Sequence, residues 1–198
     1  MDWLKSKSTR NSLELSVLAI DTTGSMAQTD FHPSRLGAAQ EAAVAFIRRK
    51  RILDGRDRTA VVAFETDARL ASAFGRHPFE AQGDVQALRT GGGTNVTAGL
   101  RKSLDLLRDE AKRMPGATLR CVLLTDGEHN TGTDPLNDGV VDAMRKAGAI
   151  VDTVAIGAGE ALLIEIARRT GGTFVRCGDF RDLLQQYERL AAKKQMAR

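Results

Sequence analysis

Short apolar runs alternate with longer amphipathic ones along nearly the whole chain, and this alternation narrows the possible folds more than any other feature. Segment 13–20 (LELSVLAI) is short, aliphatic and bounded by turn formers, so it reads as a buried strand. Segment 33–53 places apolar residues at helical spacing, with Pro33 suited to a first turn and Gly55 to a stop. Strands are expected at 57–66 and 68–74, joined as a hairpin because so short a gap permits no crossover. A short helix over 78–89, interrupted by Gly83, precedes a strong helix over 95–114 that Pro115-Gly116 ends. Strand 117–127, helix 134–148, strand 149–157, helix 160–172, strand 173–177 and helix 179–194 complete the pattern. Strand alternating with helix implies a mostly parallel sheet covered on both faces, a doubly wound α/β fold. One domain over 13–194 accounts for the pattern, with an N-terminal extension at 1–12 and a tail at 195–198.

Composition removes several alternatives. The longest apolar runs fall well short of the roughly 18 residues that span a bilayer. The first twelve residues carry charge without an apolar stretch after it, so they do not read as a secretory signal, and a cytoplasmic location is expected. Two cysteines, Cys121 and Cys177, are too few for a disulfide scaffold and lack metal-ligand spacing. The net charge of +4 is spread through helical segments and mixed with acids, which reads as solvated helix faces. With one Tyr and one Trp there is little surface for stacking bases, so no nucleic-acid partner is expected. A monomer is favoured.

Doubly wound sheets bind ligands beyond the carboxyl ends of their strands, and three segments there carry chemistry. Asp21-Thr-Thr-Gly-Ser25 follows the first strand and offers Asp21, Thr23 and Ser25 at alternate positions. In Thr90-Gly-Gly-Gly-Thr94 three glycines precede Thr94 at a helix start. Thr125-Asp-Gly-Glu-His-Asn130 offers Asp126 after the central strand 117–127. Three hydroxyls and two carboxylates are hard oxygen donors, the kind that Mg²⁺ requires. Singly each segment is ordinary: Thr94 also suits a helix cap, and Asp126-Gly127 a turn. Glu128 reads as a solvated loop acid or as a charge that selects partners. His129 reads as an exposed loop histidine, or as part of a partner groove.

The set DTTGSM, GGGTNVTAGL and LLTDG resembles the metal-ion-dependent adhesion site of von Willebrand factor type A (VWA) domains. That family's pattern is Asp-x-Ser-x-Ser, then a Thr, then an Asp. Asp21, Ser25, Thr94 and Asp126 match it directly, and Thr23 keeps the hydroxyl of the commoner Ser. The resemblance extends through IGAGEALLIEIARRTGGTFVRC to the closing helix and is to bacterial stand-alone VWA proteins. It implies a six-stranded sheet of order 3-2-1-4-5-6 with strand 3 antiparallel. It also implies Mg²⁺ or Mn²⁺, in preference to Ca²⁺, bound by Thr23, Ser25 and Thr94 through hydroxyls or waters. Asp21 and Asp126 would bind the ion directly or through water. An acidic side chain of a protein partner would fill the open coordination position. The implied role is an intracellular scaffold or adaptor, not an enzyme, with AAA+ ATPases or kinase and phosphatase modules as the partners such proteins resemble partners of.

Two rival readings exist. DTTGS also resembles the phosphorylation motif of haloacid-dehalogenase-like phosphotransferases, with Asp21 as the nucleophile. The later loop, however, lacks that family's paired acids, and GGGTNV has no role in it. An extracellular metal-dependent adhesin is the rival within the binding class. No Walker lysine follows TGGGT, and GAGEAL lacks the third glycine of a dinucleotide loop.

Overall fold

A computed structural model of the chain describes residues 13–127, 129–157 and 160–193. The extension 1–12, the tail 195–198 and Glu128 lie outside the described residues. The strands are β1 (Glu14–Asp21), β2 (Arg58–Phe64), β3 (Ala68–Ser72), β4 (Thr118–Thr125), β5 (Ala149–Ala155) and β6 (Phe174–Arg176). The helices are α1 (Arg35–Leu53), α2 (Pro78–Gln86), α3 (Val96–Arg113), α4 (Val140–Lys146), α5 (Glu160–Thr170) and α6 (Phe180–Ala192). A single six-stranded sheet has the order β3-β2-β1-β4-β5-β6, with β3 antiparallel to β2 and the other pairs parallel. The expected order and strand directions hold. Among the described residues no helix is long and apolar enough to cross a membrane.

β1 is central because all eight of its residues can be buried. Leu15, Val17 and Ala19 face the core formed with α3, α4 and α5, while Leu18 and Ile20 face α1 and α6. This is the two-residue period of a strand with helices on both faces. The two cysteines fall into opposite layers, Cys121 in the first core and Cys177 in the second, and both are free. Burial, first among the causes, pushes each thiol up to about 12, so neither is a ready nucleophile.

At the amino ends of the strands the α1/α6 face turns ionic. Lys50 of α1 reaches Glu14 Oε1 at 2.8 Å and Asp57 Oδ2 at 3.0 Å. Arg120 of β4 contacts Asp152 Oδ2 through Nε at 3.2 Å and donates from Nη1 to the carbonyl of Leu190 at 2.6 Å. Ser16 donates to Glu14, and the Thr173 amide donates to Asp152. All five charged side chains are buried.

Local boundaries differ from the expected ones for identifiable reasons. Helix α1 begins at Arg35 because Ser34 accepts from the Gly37 amide and caps it, so Pro33 lies before the first turn. Gly83 does not interrupt α2. Helix α4 is shorter than 134–148, because Asp134 accepts from the Leu136 amide and closes its own turn. Gly139, at φ 89°, then starts the helix from a backbone conformation that glycine adopts readily. A short 3-10 helix over Gly24–Ala27, unforeseen in the sequence, follows β1.

Candidate metal centre

Asp21 is the last residue of β1, opposite Phe64 of β2. Its Oδ1 accepts from the Thr23 amide at 2.8 Å, and its Oδ2 accepts from the Thr125 hydroxyl. Thr22 turns the other way, donating both its amide and its hydroxyl to the Phe64 carbonyl, which fixes the exit of the chain. Thr23 stands just before the 3-10 helix, and this tight turn brings its hydroxyl within 3.1 Å of Ser25 Oγ. Ser25 donates to Asp126 Oδ1 at 2.8 Å across 101 residues of sequence. Its single proton is thereby used, so Thr23 is the donor to Ser25. The first and third segments are therefore joined by a chain of hydrogen bonds.

The second segment is held against both. The Gly91 amide donates to the Thr22 carbonyl and the Gly93 amide to Thr66 Oγ1. Gly92 adopts φ 60°, a left-handed backbone conformation that favours glycine. The Thr94 amide donates to Asn130 Oδ1 at 2.9 Å, and the Asn130 amide returns to the Thr94 carbonyl at 3.1 Å. The cap of α3 is Asn95, whose side chain accepts from the Ala98 amide. Thr94 is thus not spent on capping, and its hydroxyl lies 4.0 Å from where a Cβ on Gly127 would stand. Hydrogen bonds thus gather Asp21, Thr23, Ser25 and Asp126 at the carboxyl ends of β1 and β4, and Thr94 stands beside Gly127.

The site is more buried than loop residues suggest: Asp21, Thr23, Thr94 and Asp126 are 0–3% exposed. Substitutions at Asp21 or Thr94 therefore act on buried groups. Burial is also the largest cause raising Asp21 from 3.8 to about 6, with hydrogen bonds from Thr125 and Thr23 opposing it and the Asp126 charge adding to it. Both donors to Asp21 are neutral. Among the described residues no cluster of three His, Cys, Asp or Glu side chains has the arrangement of a metal site. Two carboxylates with three hydroxyls remain, a donor set that fits a hard divalent ion and offers a soft one nothing.

Several neighbours were not foreseen. Thr125 is hidden in the apolar end of its strand, and nothing in its sequence context marks it. His129 is not an exposed loop residue: its Nδ1 accepts from the Val96 amide at 3.2 Å, and its Nε2 is buried without a hydrogen-bond partner. It ties the third segment to the start of α3. Arg35 is no solvated helix charge, since it donates to Asp126 Oδ2 at 2.8 Å and its side chain is 13% exposed. Gly157, just beyond β5, packs so closely that a Cβ there would lie 2.1 Å from the Asp126 carbonyl oxygen. Gly157→Ala must therefore displace the Asp126 backbone, and metal sites tolerate only about 0.2 Å in ligand distance. Calorimetric Mg²⁺ titration of this variant should show affinity falling about 10–100-fold, the usual effect of altering an outer support.

The von Willebrand factor type A domain profile matches residues 16–129, more than half of the chain. The chain belongs to the VWA domain family. That family is one of protein-interaction modules, often metal-dependent. Calcium-activated chloride channel regulator 1 of Macaca mulatta is 31% identical over 160 residues, covering 78% of this VWA chain and 16% of that protein. Calcium-activated chloride channel regulator 4 of Homo sapiens is 25% identical over 169 residues, covering 82% and 17%. The chain thus spans about one sixth of the length of these curated relatives. Among solved structures, the von Willebrand factor type A protein from Catenulispora acidiphila superposes with a TM-score of 0.78 at 23% identity, covering 92% of this chain and 43% of that one. Proximal thread matrix protein 1 from the mussel byssus, with a zinc-occupied metal-ion-dependent adhesion site, gives 0.73 at 17% identity, covering 91% and 48%. At such identities these structures establish the fold.

Proposed function

We propose that this VWA domain binds one divalent cation, Mg²⁺ or Mn²⁺, through Asp21, Thr23, Ser25, Thr94 and Asp126, and through it an acidic side chain of a protein partner. The hydrogen-bonded convergence of Thr23, Ser25 and Asp126 from separate segments carries this reading. Bound there, the ion supplies a Lewis-acidic position for a carboxylate. Three of the five ligands are neutral hydroxyls, so the ion stays more electrophilic than it would among carboxylates alone, which favours an anionic partner ligand over a neutral one. Asp21 anchors the inner side of the set and Ser25 orients Asp126. The zinc held by the mussel protein at its corresponding motif adds Zn²⁺ to the ions to be compared.

The reading extends to a cytoplasmic scaffold whose partners are AAA+ ATPases or kinase and phosphatase modules. The resemblance to bacterial stand-alone VWA proteins is its support. The phosphotransferase reading is disfavoured by the third segment, which lacks the paired acids of that family's later loop, and by the full burial of Asp21.

The test is a pull-down with Mg²⁺, repeated in EDTA, alongside calorimetry of the wild type and Thr94→Ala. Capture that disappears in EDTA, with Mg²⁺ affinity lost in Thr94→Ala and the circular dichroism spectrum retained, is the expected result. Equal Mg²⁺ affinity in both proteins would remove Thr94 from the site. A hydroxylamine-labile phosphate on Asp21 after incubation with a phosphodonor would favour the phosphotransferase instead.

A further inference from the structure

Arg35, the first residue of α1, spans two carboxylates. Its Nε and Nη2 form a fork on Asp30, at 2.9 and 2.8 Å, while Nη1 donates to Asp126 Oδ2 at 2.8 Å. The other oxygen of Asp126 accepts from Ser25. Asp30 is half exposed, whereas the Asp126 side chain is fully buried, so the guanidinium bridges from the rim of the site to its floor. It is delivered by a rigid element: the Arg35 amide donates to the Gln28 carbonyl at 2.8 Å, and Ser34 caps the helix beneath it. Its charge is permanent, because an arginine does not deprotonate in a protein.

We infer that Arg35 is a built-in counter-cation of the metal centre, which competes with the divalent ion for Asp126 and holds the affinity of the site below what its five oxygen-bearing side chains alone would give. The inference rests on the metal-binding reading above. A fixed positive charge on a ligand oxygen repels an incoming dication and reduces what the carboxylate can offer it. For charges a few ångströms apart, with one of them doubled, the penalty amounts to about tenfold in affinity even where water screens them. Asp30 acts in the opposite sense. Its fork occupies two nitrogens of the guanidinium and neutralises part of the charge that would otherwise act on Asp126. A partner carboxylate arriving at the ion would offset the same repulsion, so metal and acidic ligand would each strengthen binding of the other.

A purely structural role makes a different prediction. If Arg35 served only to hold Asp126 in place, removing either Arg35 or Asp30 would loosen that carboxylate and weaken metal binding. Competition predicts opposite signs for the two residues.

The experiment is calorimetric titration of the full 198-residue chain with Mg²⁺ and with Mn²⁺, comparing wild type, Arg35→Met, Arg35→Lys and Asp30→Asn. Arg35→Met keeps the apolar stem and removes the charge; it should bind both ions about tenfold more tightly. Arg35→Lys retains the charge and should stay near the wild type, and Asp30→Asn should bind more weakly. Should Arg35→Met not fold, the wild type still gives an answer, since the Arg35 Nε–H resonance should shift as Mg²⁺ saturates the site. Wild-type binding combined with weaker binding by Arg35→Met, or an unmoved Arg35 resonance, would overturn the inference alone. No binding of either ion by any of the four proteins would overturn it together with the metal reading.

Discussion

Asp21→Asn should make the metal-free protein more stable than the wild type while abolishing its response to Mg²⁺. Asp21 is fully buried, its two hydrogen-bond donors are neutral, and burial raises its carboxyl to about 6. A folded-state value above the unfolded one means that the native protein binds the proton more readily. The associated stability is fully present below about 3.8 and is lost as pH rises through about 6. Keeping Asp21 ionised at neutral pH thus costs about 3 kcal/mol. Asparagine removes that cost without breaking the local bonds. Its oxygen can still accept from the Thr23 amide, and its NH₂ can donate to Thr125, whose own proton can turn to the Gly127 carbonyl 3.3 Å away. The expected gain in EDTA at pH 7.5 is about 1–3 kcal/mol, or several degrees in Tm for a chain of this size. Wild-type Tm should rise on adding Mg²⁺ above pH 6, and that increment should fade toward pH 5 as the proton displaces the ion. Urea denaturation across pH, with and without Mg²⁺, reads both effects. An Asn variant that is less stable in EDTA would refute the cost of ionising Asp21, and one that still responds to Mg²⁺ would remove Asp21 from the ligand set.

The second large effect lies at the opposite, amino ends of the strands. Arg120→Met should destabilise the domain by about 3–5 kcal/mol, the usual consequence of leaving a buried charge without its partner. Asp152 loses the guanidinium 3.2 Å away, and the Leu190 carbonyl loses a 2.6 Å hydrogen bond that ties α6 to the sheet. For a domain of this length the melting temperature falls by roughly 10 °C. Mg²⁺ affinity of the folded protein, measured at low temperature, should be unchanged, because Arg120 enters near the start of β4 and Asp126 follows its end. A loss below about 1 kcal/mol would show that water or a shifted partner compensates Asp152. Changed Mg²⁺ affinity would mean that the two ends of the strands are coupled.

These two residues also mark what could and could not be seen in the sequence. The strands were legible because hydrophobic runs of the right length are a one-dimensional signal, whereas their order followed from the family resemblance. The five candidate site residues stood out because carboxylates and hydroxyls gather where apolar runs stop or glycines precede a helix, but their burial, 0–3% exposure for four of them, was not visible there. Arg35 was not, since a lone arginine in an amphipathic helix looks the same whether it meets water or a carboxylate from 91 positions away. The ionic network was partly visible. Glu14 and Arg120 interrupt runs that otherwise read as buried strands, and a charge in such a place must find a partner. Which partner it finds depends on neighbouring strands and on Lys50 from α1, and only the fold brings those together. Asp134 stopped a helix whose periodicity appeared to continue, because a side chain that satisfies its own turn competes with the helix locally.

The outer strands of the sheet have a consequence for colloidal behaviour. β3 is five residues long, its pairing with β2 is irregular between Val61 and Val62, and it carries Arg69 beside the half-exposed Leu70. β6, at the other margin, has only three residues. An unprotected strand margin is a template on which identical chains can stack, and brevity, charge and irregular pairing are the features that spoil such templates. Neither margin presents a long, flat row of amides to another molecule. A concentrated solution of this domain therefore has no extended ribbon from which fibrillar growth could start while the sheet stays folded.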